Sequence, residues 1–182
     1  MPEFPRLPLA KIVLVSSGAQ ARLATAELAA CPFWGFDTES KPTFKVGESS
    51  DGPHVVQFSS DAKAWVFQLA DPECRAAVCA LLALGGIPKV GFGLNDDSRR
   101  IAEKLGVAAQ GIVDLNHLFH ALGHRKDIGV KGAVATVFGQ RFIKSKKAST
   151  SNWANPRLSE AQLVYAGNDA YGAARVYLSM PK

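Results

Sequence analysis

The sequence predicts an α/β fold: one mixed sheet, antiparallel in its first strands and parallel afterwards, flanked by helices. Three observations carry this. Residues 54–60 and 64–69 are short apolar runs joined by a brief turn containing Asp61, a hairpin pattern. Beyond them, helical and strand-like segments alternate. The chain has 182 residues, 47% hydrophobic and 20% charged, enough for one substantial core but not for two full domains.

The elements follow in order. Residues 1–10 are a proline-rich lead-in, and residues 11–182 form the single domain. Residues 11–17 are β-branched and apolar and read as a strand. Residues 19–30, rich in Ala, Leu and Glu, read as a helix that Pro32 ends. Residues 34–39 are a second strand, and the Gly and Pro breaks in 41–53 mark a loop. After the hairpin, 72–84 is a helix with Pro72 in its first turn. Residues 89–92 are a short strand, and 96–105 a helix closed by Gly106. Residues 112–115 are strand-like, with helices over 116–122 and 130–138. Residues 145–155 read as a polar, basic loop. The last helix covers 158–178, with Ser159 and Gln162 in capping-box spacing at its start.

Composition narrows the function. No apolar run approaches membrane-spanning length and no signal peptide is recognisable, so an intracellular protein without a membrane partner is expected. Cys31, Cys74 and Cys79 are odd in number and lack Cys-x-x-Cys spacing, which argues for buried free thiols. The net charge of +5 favours a polyanionic partner. Nothing in the sequence specifies an oligomeric state.

Three short segments carry the chemistry. Asp37 and Glu39 are two apart on a strand and share a face. Paired carboxylates on a central strand repel unless neutralised, although a single Asp-x-Glu is often a solvated strand end. Asp96 and Asp97 follow the turn Gly91-Phe92-Gly93 at the start of a helix, where one can cap while the other faces a site. Tyr165 and Asp169 are one helical turn apart. Gly167 and Gly172 lie in the same helix; each costs about 1 kcal/mol relative to Ala, which predicts a close neighbour. Carboxylates converging from three segments predict a two-metal site, and the tyrosine beside them predicts phosphate-ester hydrolysis. The glycines at 91 and 93 are not read as a dinucleotide loop, because Asp96 stands where a third would be.

Together these segments resemble the DEDD 3′–5′ exonucleases of the ribonuclease H-like superfamily. The matching stretches are Phe36-Asp37-Thr38-Glu39, the run from Val90 through Gly91, Phe92 and Gly93 to Asp97, and the run from Tyr165 to Asp169. Ser151-Asn152-Trp153 and the run from Arg157 to Gln162 are similar to the family's lead-in to its third motif, although Pro156-Arg157-Leu158 replaces the usual Arg-Pro-Leu order. Tyr165, with Val164 where the other branch has histidine, marks the DEDDy type. The likeness is strongest to the Werner-syndrome-type exonuclease domain, with the RNase D catalytic domain next.

The resemblance implies two divalent ions, Mg²⁺ or Mn²⁺, and a nucleic acid with a free 3′ end that is shortened to nucleoside 5′-monophosphates. It implies that Asp37, Glu39 and Asp169 hold one ion, that Asp37 also reaches the second with Asp97 acting through water, and that Tyr165 orients the attacking water. The family's spacing assigns the second-motif carboxylate to Asp97 over Asp96. The sequence ends at Lys182 without the helical RNA-binding unit usual in RNase D, so DNA is the expected substrate, with RNA trimming or a silent nucleic-acid-binding domain as the alternatives.

Other residues border this expectation. Arg141, Lys144, Lys146 and Lys147 form a basic cluster leading into the last helix, a candidate for phosphate-backbone contact. Lys41 and Phe44, just beyond Glu39, are candidates for bordering the 3′ end. Trp153 is expected to pack rather than to stack on a base. His117, His120 and His124 share a helical face, but three imidazoles on one helix rarely close a zinc site, so a partly exposed basic face is expected.

Overall fold

The computed structural model describes residues 1–181. The strands are β1 (Ile12–Val15), β2 (Trp34–Glu39), β3 (Val55–Ser59), β4 (Ala64–Gln68), β5 (Lys89–Gly91) and β6 (Ile112–Asp114). The helices are α1 (Gly18–Ala29), α2 (Pro72–Ala83), α3 (Asn95–Leu105), α4 (Leu115–Ala121), α5 (Gly129–Phe138), α6 (Lys146–Ser149) and α7 (Glu160–Ser179). The strands make one sheet in the order β1-β4-β3-β2-β5-β6.

The mixed sheet is as expected from the sequence. Its antiparallel part is β2-β3-β4, and β5 and β6 extend it in parallel beside β2. The first strand, β1, adds at the far edge in parallel to β4. β1 is shorter than the expected 11–17. Leu9–Lys11 coils into a 3-10 turn before it, and Ser17 leaves the strand to cap α1 by accepting from the Gln20 amide.

Period-two alternation sorts the sheet residues into two layers. Trp34, Phe36, Val56, Phe58, Trp65 and Phe67 face α1, α2 and α3, with Phe36 stacked on Phe58 at 5.6 Å between ring centroids. The opposite face carries Val55, Ala64 and Val66, which pack with Trp153, Tyr165 and Ala166. Gly35, Asp37 and Glu39 therefore point toward α7. The helix lies directly on β2: a Cβ at Gly35 would sit 2.0 Å from the Ala170 carbonyl oxygen. The close neighbours predicted for Gly167 and Gly172 are Ile12 and the pair Val130 and Phe142.

α7 begins at Glu160 rather than at 158, because Ser159 is its cap. The Ser159 hydroxyl accepts from the Gln162 amide while the Gln162 side chain accepts from the Ser159 amide. Residues 145–155, expected as a loop, contain the single turn α6. Ser145 nucleates it by accepting from the Ala148 amide. Trp153 packs as expected, fully buried, with its indole N–H donating to the Ser149 carbonyl.

The proline-rich segment 1–10 is packed onto the domain. Phe4 donates its amide to Arg141 O, and Arg141 donates back to Pro2 O. The Phe4 ring sits among Phe138, Phe142 and Tyr171. Leu7 is held by Asn168, whose Oδ1 accepts from the Leu7 amide at 2.7 Å and whose Nδ2 donates to the Leu7 carbonyl at 3.1 Å. The three cysteines are free. Cys74 is buried as expected, whereas Cys31, just past the end of α1, and Cys79, within α2, are only partly covered. Among the described residues, no helix is long and apolar enough to cross a membrane.

Candidate active site

The site forms where the C-terminal half of β2 meets the middle of α7. β2 is apolar at Trp34 and Phe36, which fixes its register in the core, so Asp37 and Glu39 project onto the α7 face. α7 presents Tyr165 and Asp169 one turn apart toward them. Oxygens of Asp37, Glu39 and Asp169 lie within 4.8 Å of one another.

Asp97 comes from the first turn of α3 and reaches the site around the end of β2. Its carboxylate accepts from the Thr38 hydroxyl, on the strand face opposite Asp37 and Glu39. Asp96 faces solvent and pairs with Arg99 at 3.0 Å. Of the two neighbouring aspartates, Asp97 turns toward Thr38 beside the cluster and Asp96 turns outward to Arg99.

The electrostatics record the crowding. Burial, then the charge and hydrogen bonding of Asp169, hold the Asp37 carboxyl well above the usual carboxylate range. Burial and Asp169 push Glu39 up to about 8. Burial also raises Asp97, against the opposing hydrogen bond from Thr38. Two side-chain cations oppose this crowding, Arg100 near Asp97 and Lys144 at Asp169. Lys144 lies 3.2 Å from Asp169 Oδ1 and 5.5 Å from the centre of the Tyr165 ring. Burial alone would lower the Lys144 pKa, but Asp169 and its neighbours hold it above the ordinary lysine value. Tyr165 is raised mainly by burial and so remains a phenol at neutral pH. It packs against Trp153 with ring centroids 5.8 Å apart.

Gln57 is a site residue that the sequence reading missed. It is fully buried on β3, directly opposite Asp37, and its Nε2 donates to Glu39 Oε1 at 3.1 Å. Its Oε1 is also buried and has no hydrogen-bond partner among the described residues. The available signal was a polar residue inside the apolar run from Val55 to Phe58. Thr38 was likewise passed over as the middle residue of Asp-x-Glu.

A cavity of about 410 Å³ opens beside the carboxylates, lined by Asp37, Phe92, Asn116, Asp127, Lys144 and Asp169 among others. That volume suits a nucleotide-sized ligand. The basic cluster does not act as one patch. Lys144 turns into the site, Arg141 pairs with Glu3 at 3.3 Å, and Lys146 and Lys147 are exposed on α6. Lys41 and Phe44 are exposed on the loop after β2, with Phe44 at 87%. The histidines form no metal cluster among the described residues. His120 contacts the His124 carbonyl and Asp127, each at 2.7 Å, and the His124 ring packs on Phe119.

A family model described as 3′–5′ exonuclease matches residues 12–182. The chain belongs to this 3′–5′ exonuclease family. It is 28% identical over 145 residues to the mouse bifunctional 3′–5′ exonuclease/ATP-dependent helicase WRN, a match covering 79% of this chain and 10% of the mouse protein. It is 27% identical over 150 residues to an Arabidopsis thaliana 3′–5′ exonuclease, covering 80% of this chain and 51% of the relative. The chain thus spans about half the length of the Arabidopsis relative and a tenth of the mouse protein. Its fold superimposes on Trypanosoma brucei RNase D in complex with RNA U12, with a TM-score of 0.80 at 20% identity over 94% of this chain and 63% of the other. In this exonuclease domain, the three segments singled out in the sequence arrive from β2, from the start of α3 and from the middle of α7.

Proposed function

We propose that this exonuclease domain hydrolyses the terminal phosphodiester at the 3′ end of nucleic acid, using two divalent ions, Mg²⁺ or Mn²⁺, and releasing nucleoside 5′-monophosphates. The observation that carries the reading is the convergence of Asp37, Glu39 and Asp169 oxygens within 4.8 Å. The donor set fits such ions: it is all carboxylate oxygen, which suits hard cations, and the four carboxylates outnumber the two cations beside them, Lys144 and Arg100. Bound there, the ions would acidify water and offset the charge that develops on the phosphate and on the leaving 3′-oxygen.

The chain's own residues supply the rest. Asp37, Glu39 and Asp169 would hold the ions, Asp37 being shared between them, with Asp97 contributing through water. Gln57 fixes the rotamer of Glu39 by its amide hydrogen bond. Tyr165, a phenol at neutral pH, is a poor base, so it orients the attacking water by hydrogen bonding and does not remove its proton. The buried Trp153 holds the Tyr165 ring in place. The cavity beside Asp37 receives the 3′-terminal nucleotide, with Lys41, Phe44, Lys146 and Lys147 on the exposed approaches to it.

The test is end-labelled 3′-recessed DNA, single-stranded DNA and RNA, each with Mg²⁺ and with Mn²⁺. Wild-type protein should release mononucleotides from at least one substrate, with DNA expected ahead of RNA, and Asp37→Asn should abolish release while leaving the circular dichroism unchanged. Undiminished release by Asp37→Asn would overturn the reading. Binding without release in Mn²⁺ would indicate a silent nucleic-acid-binding domain, and preference for RNA would indicate a 3′-end trimmer.

A further inference from the structure

We infer that Lys144 is a placeholder cation for the carboxylate cluster: its ammonium neutralises Asp169 in the metal-free protein, is displaced when a divalent ion loads, and then moves onto the phosphate being cleaved. The inference rests on the metal-dependent reading above and deepens it.

Three features of the structure lead there. Lys144 Nζ is 3.2 Å from Asp169 Oδ1, and the Asp169 side chain is only 7% exposed, so this ion pair lies at the cluster and not on the surface. An Asp169 oxygen is also within 4.8 Å of the oxygens of Asp37 and Glu39. An ion held among those oxygens would stand close to the ammonium, and two cations so near each other repel strongly. The two therefore compete for Asp169.

The second feature is how Lys144 is mounted. Its backbone is pinned on both sides: Arg141 exchanges hydrogen bonds with Pro2 and Phe4, and Ser145 caps α6. The side chain alone is free to move, on a flexible four-carbon stem. The face of the Tyr165 ring, 5.5 Å from Nζ, gives the ammonium a second attractive surface beside Asp169.

The third is direction. Lys144 lines the cavity that also contains Asp37 and Asp169, so an ammonium released from Asp169 remains beside any phosphate bound there. Arg141, Lys146 and Lys147 cannot substitute, since the first is paired with Glu3 and the other two point into solvent.

The experiment is calorimetric titration of Mn²⁺ into metal-free wild type, Lys144→Met and Lys144→Arg in the absence of nucleic acid. Lys144→Met should bind Mn²⁺ at least about tenfold more tightly, because a competing charge is gone, and Lys144→Arg should remain near wild type. In single-turnover cleavage at saturating Mn²⁺, Lys144→Met should nonetheless be slower by about 100-fold, with Lys144→Arg recovering part of the rate. Unchanged or weaker Mn²⁺ binding by a folded Lys144→Met protein would overturn the placeholder role. Wild-type cleavage rates in that variant would overturn the move to phosphate. Absence of Mn²⁺ binding by the wild type would instead sink the metal-dependent reading itself, and the inference with it.

Discussion

Raising the pH of the metal-free protein from about 5 to about 9 should destabilise it, with Glu39 as one clear source. Burial and Asp169 move its carboxyl from 4.5 to about 8 in the folded chain. The unfolded chain releases this proton near 4.5, whereas the folded chain keeps it until about 8. Across that window the native state binds more protons, so stability is lost as pH rises. For this one group the loss between about pH 5 and pH 9 is about 4 kcal/mol, or a fall in Tm of roughly 10 °C for a domain of this size. The raised carboxyls of Asp37 and Asp97 act in the same direction. So does His120, raised by its hydrogen bond to Asp127: its contribution is present at low pH and lost as pH rises through its folded value. Glu39→Gln separates these sources. Thermal melts in EDTA at one-unit pH steps should show a steep decline for wild type and a shallower one for Glu39→Gln. Saturating Mn²⁺ should raise the wild-type Tm strongly at the alkaline end and little at the acidic end, because protons and metal compete for the same oxygens. Parallel pH profiles for wild type and Glu39→Gln in EDTA would refute the argument.

Further outcomes follow from the same geometry. Asp97→Asn should slow nucleotide release by at least about 100-fold, whereas Asp96→Asn, whose side chain pairs with Arg99 in solvent, should remain within about twofold of wild type; end-label release assays decide. Tyr165→Phe should slow cleavage by about 100-fold without changing Mn²⁺ affinity, since the hydroxyl orients water and holds no ion; a collapse of affinity in calorimetry would contradict that role. Gly35→Ala should destabilise by more than about 3 kcal/mol, because the added methyl would sit 2.0 Å from the Ala170 carbonyl oxygen; urea melts measure it.

Much of this site was legible because its geometry is local. Asp37 and Glu39 share a face through strand alternation, and Tyr165 and Asp169 through helical periodicity, so neither pair needs long-range information. The capping-box pair Ser159 and Gln162 was legible for the same reason, although the helix it caps starts at Glu160 and not at 158. Gln57 was not legible, because its role depends on the β2–β3 register that places it opposite Asp37. Lys144 was recognised only as one member of a charge run. Its distinct orientation is set by contacts with Asp169 and Tyr165 on α7, which are distant from it in sequence. The pairing of β1 with β4 is of the same kind: nothing in residues 12–15 states which edge they join or in which direction. Asp96 and Asp97 are adjacent in sequence, and only the packing of α3 against the end of β2 decides which one turns inward.

The anchoring of the N-terminal segment has a practical consequence for handling the domain. The family match begins at Ile12, and an expression boundary drawn there would strip away Phe4 and Leu7. A slot lined by Phe138, Phe142 and Tyr171 would be left open to water, inviting aggregation. Asn168 would lose both of its bonds to Leu7, one residue from Asp169. A fusion tag pressed against Pro2 would disturb Arg141, and with it the segment that carries Lys144. Preparations that differ only in their first dozen residues could therefore give different apparent metal affinities, and tags belong at the other end of the chain.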